Sequence, residues 1–289
     1  MNIEIPDKLK ADVPLTRWGK LLTSTPIVMT VIATMLAGLS SSEMTRAQYD
    51  RSLAAQQQSK AGDQWGFFQA KKLRGAMQRS TLDLLESTTE VHPFSGVQLS
   101  PTVMAALEKC ELPVVPPGPP PDPGVQAALT ALEGQKSETE IAALLRPVKE
   151  VALGEALRLA TDATLALDAA TRPVNQAIEQ IEKTLGDRAL HRDFIAARLR
   201  YTAKRYDAKA RLNQAVAFVY ELQVRKSNVA AEHHHARSQR FFYGMLAAQM
   251  AVIIATFAIA ARQKNLLWSI AAIAGLAAVV LAVYVYLFV

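Results

Sequence analysis

Residues 241–261 read FFYGMLAAQMAVIIATFAIAA and residues 266–289 read LLWSIAAIAGLAAVVLAVYVYLFV. Neither stretch contains a charged residue. At a rise of 1.5 Å per residue, each helix would cover about 30 Å, the thickness of a bilayer's hydrocarbon core. Only Arg262-Gln263-Lys264-Asn265 separates them, which predicts a polar turn and a transmembrane hairpin. Trp268, Tyr284 and Tyr286 fall near the ends of the second stretch, where amphipathic rings favour the membrane interface.

A third apolar run, Pro26 to Leu39, lies near the N-terminus. Thr25 and Pro26 suggest a helix start, with threonine as cap and proline at the first helical position, where its missing N–H costs nothing. With its small polar flanks the run makes a span over residues 23–42. No Ala-x-Ala-like cleavage site follows; Ser40-Ser41-Ser42 leads into a charged segment, so a retained anchor is expected. Residues 1–22 form a polar N-terminal segment.

The whole chain of 289 residues averages these spans with something different. Half the residues are hydrophobic, one-fifth are charged (20%), and the mean hydropathy is +0.09. Residues 41–240 hold 26 of the 32 Lys and Arg, and 23 of the 26 Asp and Glu. Their excess of positive charge is only +3, interleaved with acids. Solvated helix faces explain such a pattern, and nucleic acid is not an expected partner. Strand signals are almost absent, and good helix formers dominate. The expected fold is therefore an all-α membrane protein. It has one N-terminal transmembrane helix, a C-terminal transmembrane hairpin, and between them a long extramembrane coiled-coil-like stalk.

That stalk divides at residues 113–124, PVVPPGPPPDPG, whose seven prolines exclude a helix and predict an extended linker. A first stalk region covers 43–112 and a second covers 125–240. His92-Pro93 to Pro101 makes a softer break, and Pro147 and Pro173 are expected to kink or divide helices. In the first region Ala70, Leu73, Met77 and Leu84 recur at helical spacing, with Trp65 and Phe68 a turn earlier. In the second, Ala196, Leu199, Ala203, Tyr206, Ala210, Asn213, Ala217, Tyr220 and Val224 alternate spacings of three and four. Such a stripe faces a partner helix, either within the chain or on another subunit. Asn213 is the kind of seam residue that fixes register at a cost in stability.

Asp63-Gln64-Trp65-Gly66-Phe67-Phe68-Gln69-Ala70-Lys71 stands out as a signature. It resembles the bacterial membrane-protein family catalogued as domain of unknown function 4337. That family's pattern is a membrane helix, then Asp-Gln-Trp-x-x-Tyr/Phe-Gln-Ala-Lys, a coiled region, and a His-rich basic approach to a terminal pair of membrane helices. Glu232-His233-His234-His235 and residues 241–289 supply the later parts. The resemblance implies architecture, since the family carries no established activity. Physically, Trp65 and Phe68 share a helix face, Gln64 and Gln69 offer amide hydrogen bonds, and Asp63 can pair with Lys71 or Arg74 of a neighbouring helix.

Chemistry is sparsely represented. Phosphate-cradling Gly-rich loops and nucleophile elbows are missing, and Cys110 is the only cysteine, so no enzyme is expected. Three consecutive histidines point about 100° apart on a helix and cannot share one ion. His235 with Glu232 or Gln239 would give two donors to a site completed by another subunit, and only His234 continues the seam. No metal or other cofactor is expected, and a metal- or pH-responsive sensor is the remote reading. Polar residues within the spans include Thr30, Thr34 and Gln249, with no ionisable group. The preferred expectation is a self-associating scaffold, or an accessory subunit of a larger complex, in the bacterial inner membrane. An oligomeric channel lined by those polar residues is the rival. Lys8, Lys10, Arg17, Lys20, Arg262 and Lys264 favour a cytoplasmic N-terminus and a periplasmic helical domain.

Overall fold

The computed structural model describes residues 17–94, 99–116, 118–186, 188–260 and 264–288. Lys8, Lys10, Arg262 and Gln263 lie outside the described residues. The described residues form helices and connecting segments, with no strand among them. In chain order the helices are α1 (Arg17–Thr88), α2 (Pro101–Glu108), α3 (Pro123–Glu133), α4 (Glu138–Leu145), α5 (Glu150–Thr184), α6 (Arg188–Ala260) and α7 (Lys264–Phe288). Three of them, α1, α6 and α7, contain stretches long and apolar enough to cross a membrane. Contacts divide the chain into a terminal unit (residues 1–52 and 228–289) and a central unit (53–227).

In the terminal unit, Ala33, Ala248 and Ala278 form one buried cluster, and Leu36, Phe241 and Val285 another. Large apolar side chains point outward instead, among them Met35, Phe257, Ile273 and Leu276. The close packing needs small residues. A Cβ at Gly244 would lie 3.3 Å from Leu36 Cδ1, and one at Gly275 would lie 2.9 Å from Met29 Cε, the flexible end of a side chain that can shift. The expected helix start at Pro26 is corrected: α1 already includes Arg17, and Pro26 is inside it. Within an apolar helix, local adjustment and neighbouring hydroxyls offset the lost hydrogen bond, so proline there does not end the helix.

In the central unit, α1 and α6 run antiparallel. Gly75 approaches Ala203 and Tyr206, while Leu82 packs with Ala196 and Leu199. The α6 seam therefore meets α1 of its own chain. Leu199 is buried in that cluster, Asn213 is buried, Lys71 lies over the Tyr206 ring, and Lys60 lies over Tyr220. The complementary face of α1 differs from the expected stripe. Leu73, Met77 and Leu84 are exposed (63%, 58% and 63%), and Ala70 is exposed as well. The buried positions are Ala54, Ala61, Gly75 and Leu82, with half-buried Phe68 completing a seven-residue spacing. Small residues occupy this face because they let two backbones come close, and their weak hydrophobicity makes the stripe easy to miss.

Two smaller clusters complete the unit. Val103, Ala106 and Leu107 of α2 pack with Val174, Ile178 and Ile181 of α5 and with Phe194 and Tyr201 of α6. Val125 and Ala128 of α3 pack with Ile141 and Leu145 of α4 and with Leu222 of α6. Local signals set these short helices. Asp122 accepts hydrogen bonds from the backbone N–H groups of Gly124 and Val125 at the start of α3. Ser137 and Glu140 form a capping box at α4. Pro147 falls in the break between α4 and α5, as expected, whereas α5 continues through Pro173.

Asp207 of α6 ties the pair together through Arg79 and Lys72 of α1. Partial burial alone would raise its pKa. Hydrogen bonds and charge from Arg79 and Lys72 outweigh that and hold the carboxyl below the ordinary carboxylate range. A depressed folded pKa contributes stability that is present above the unfolded value and lost as pH falls through the folded one. Asp207→Asn is expected to cost about 1 kcal/mol at pH 7. The gap between the variant and wild-type melting curves should begin to narrow below about pH 4, where the unfolded carboxyl protonates, and close as pH falls through the lower folded value. An unchanged gap at pH 3 would show that charge is not its source.

Candidate interaction sites

Three arrangements gather the polar side chains that the fold places with purpose. The first is built on the Trp65 signature in the central unit. The indole Nε1 donates to Glu221 Oε1 of α6 at 2.7 Å. Its ring meets Phe68 and Phe218 edge-on, each with centroids 5.4 Å apart. Glu221 is held in turn by Arg225 at 3.1 Å, and Arg225 donates through Nε and Nη2 to Glu138 of α4. Burial works against the Arg225 charge, but hydrogen bonds and charge from Glu138 and Glu221 more than offset it and raise its pKa. One tryptophan thus anchors α1 to α6, and the chain of charges continues to α4. The rest of the signature diverges: Gln64 and Lys71 are half-buried, while Asp63 and Gln69 are exposed.

The second lies in the terminal unit. Ser40 Oγ donates to the Ser238 carbonyl at 3.0 Å, and Ser238 Oγ donates to the Ser40 carbonyl at 2.8 Å. One helical turn further along α1, buried Glu43 meets His234 Nδ1 at 2.6 Å. The other Glu43 oxygen lies 3.5 Å from Arg237 and 3.7 Å from Arg46. Asp50 approaches the opposite ring nitrogen of His234 at 3.9 Å. The histidines therefore do different things. His234 points into the helix contact, His235 bonds Gln239 at 3.1 Å, and His233 and Glu232 are exposed. Glu43 and Asp50 face opposite ring nitrogens and do not converge on one point. Among the described residues, no group of three or more His, Cys, Asp or Glu side chains is placed to hold a metal ion.

The third is a groove of about 400 Å³ between α1 and α6 of the terminal unit, lined by Thr30, Thr34, Ala37, Gln249 and Ile253. It brings together all three span residues singled out from the sequence. Thr30 and Thr34 spend their protons on carbonyls of their own helix, at 2.8 and 2.9 Å. Gln249 is exposed, and its amide makes no hydrogen bond to another described residue.

Against known proteins, one match covers the α1 side of all three sites. Residues 22–111 match the family model DUF4337, a domain of unknown function. The resemblance carried by Asp63 to Lys71 therefore holds over this segment. The DUF4337 match takes in α1 from its apolar run to its end, together with α2. The His-rich approach and the terminal hairpin lie outside it, as do Glu221 and Arg225, which hold Trp65. No curated protein and no solved structure matches the chain significantly.

Glu138, Glu221 and Arg225 were not apparent from the sequence, nor were Glu43 and Asp50. One signal was present for the last two. They stand seven residues apart, three residues beyond Ser40 and Ala47 on the same α1 face, where paired carboxylates call for a partner.

Proposed function

We propose that this protein is a self-associating, non-catalytic scaffold or accessory subunit of the bacterial inner membrane. The three apolar helices span the bilayer, the N-terminus is cytoplasmic, and the polar helical region is periplasmic. Gln249 carries this reading. Placed near the middle of a charge-free span, it presents two amide donors and a carbonyl acceptor to hydrocarbon, where unmet polar groups are costly. The neighbouring threonine hydroxyls have given away their protons but keep lone pairs for an incoming donor. The groove is thus self-complementary: the amide of one copy meets the threonine oxygens of another. A two-fold contact would repeat that exchange on both sides.

Interhelical hydrogen bonds of this kind contribute about 0.6–2 kcal/mol each in membranes. Gln249→Leu is accordingly expected to weaken self-association about tenfold, measured by energy transfer between labelled copies diluted in lipid vesicles. A wild-type protein that stays monomeric at every dilution, or a variant that associates as tightly, would end this reading. The channel alternative rests on the same groove lining a pore among several copies. It requires single-channel currents in planar bilayers whose conductance changes in Gln249→Leu.

A further inference from the structure

We propose that a recess in the central unit binds a single-chain zwitterionic phospholipid. The recess measures about 510 Å³, within the usual range of roughly 300–1,000 Å³ for small-molecule sites. Its floor is a small-residue face of α5, with Ala156, Leu159, Ala163 and Ala166. Its roof is the proline-rich segment, through Val115, Pro116, Pro119 and Pro121. Proline brings no backbone N–H, so this roof offers the recess carbon and few donors. Its backbone is also stiff, so little conformational freedom is lost when a chain slides beneath it. An elongated, unbranched apolar chain fits such a slot.

The head of the ligand follows from the charges. An adjoining recess of about 420 Å³ shares Glu133, Ala215 and Phe218 and adds Arg211 and Gln214. Glu133 and Arg211 are exposed and form no ion pair with another described residue, unlike Arg158 and Asp162, which also line the recess and pair at 3.2 Å. An unpaired cation and an unpaired anion at one end of an apolar slot complement a zwitterion. Arg211 receives the phosphate, Glu133 receives the ammonium, and the Gln214 amide is placed to bond either. A fatty acid would use Arg211 alone.

The fold supplies a reporter. Trp65 touches Phe218, which lines both recesses. Trp18→Phe and Trp268→Phe leave Trp65 as the one tryptophan of three. The full chain, in nanodiscs of unbrominated phosphatidylcholine, is titrated with lysophosphatidylethanolamine carrying a dibrominated acyl chain. Expected are saturable quenching of Trp65, reversal by excess unbrominated lysophosphatidylethanolamine, and at least a tenfold higher half-saturating concentration in Ala163→Phe. Glu133→Gln with Arg211→Gln should weaken the lysolipid severalfold and leave a brominated fatty alcohol unaffected. Quenching that does not saturate, that unbrominated lipid fails to reverse, or that a well-folded Ala163→Phe leaves unchanged overturns the site. Should Ala163→Phe fail to fold, the competition on the unfilled recess decides by itself. A brominated fatty acid that binds as tightly as the lysolipid overturns the zwitterionic head.

Discussion

Trp65→Ala is expected to destabilise the central unit by about 3 kcal/mol. Three losses add up. The large ring leaves a cavity between α1 and α6, because two helices held by neighbouring contacts close over it only in part. Two edge-to-face contacts, with Phe68 and Phe218, are removed, each worth about 0.5–1.5 kcal/mol beyond simple burial. Glu221 also loses its indole donor, although Arg225 still holds its other oxygen. Trp65→Phe separates these effects: it keeps most of the ring and removes the N–H, and should cost about 1 kcal/mol. Thermal unfolding by circular dichroism in one detergent reads both variants. If Trp65→Ala costs no more than Trp65→Phe, the indole is a hydrogen-bonding group alone and the packing account is wrong. The DUF4337 match contains Trp65 but not Glu221.

The three apolar runs were legible because charge-free stretches of this length have few alternative explanations in physical terms. The α6 seam was legible because its alternating spacing of three and four includes Leu199, Tyr206, Tyr220 and Val224, residues large enough to mark a face. Its partner was hidden by the same packing that makes the contact. Ala54, Ala61 and Gly75 are selected for being small, whereas bulky Leu73, Met77 and Leu84 drew attention to the outward face. Whether the seam paired within the chain or between subunits could not be read from spacing, since both use the same repeat. The Trp65 site was half visible. An aromatic pair three residues apart is local, but the acceptor Glu221 is 156 residues away, and nothing in the spacing of either segment links them. Thr30, Thr34 and Gln249 could be found one by one as polar residues in apolar spans. That they share a groove depends on the rotation of two helices, which composition does not set.

Glu43→Ala should cost about 3 kcal/mol in the terminal unit, because removing one partner of a buried ionic group leaves the others uncompensated. The burden falls unequally. His234 keeps Asp50 at 3.9 Å, whereas Arg237 loses the carboxylate 3.5 Å away. Glu43→Gln preserves an acceptor for His234 and should recover part of the loss, leaving the unbalanced Arg237 charge as the remainder. The double variant Glu43→Leu with His234→Leu is expected to recover all of the loss except the part left by the Arg237 charge, since well-packed apolar residues often replace buried ionic pairs without loss. The polar layer would then be present for register and not for stability. With small residues repeating every seven positions, a slip of seven costs the alanine face little, although it would also part Trp65 from Glu221 and Arg79 from Asp207. It would set Glu43 against Ser227 or Phe241 in place of His234, stranding a buried carboxylate. Paired cysteines placed in α1 and α6 to cross-link only the slipped register test this. The apolar double variant should form more of that cross-link than wild type, which Trp65 and Asp207 also hold in register. If both remain in the native register, Glu43 and His234 are not what aligns the two helices.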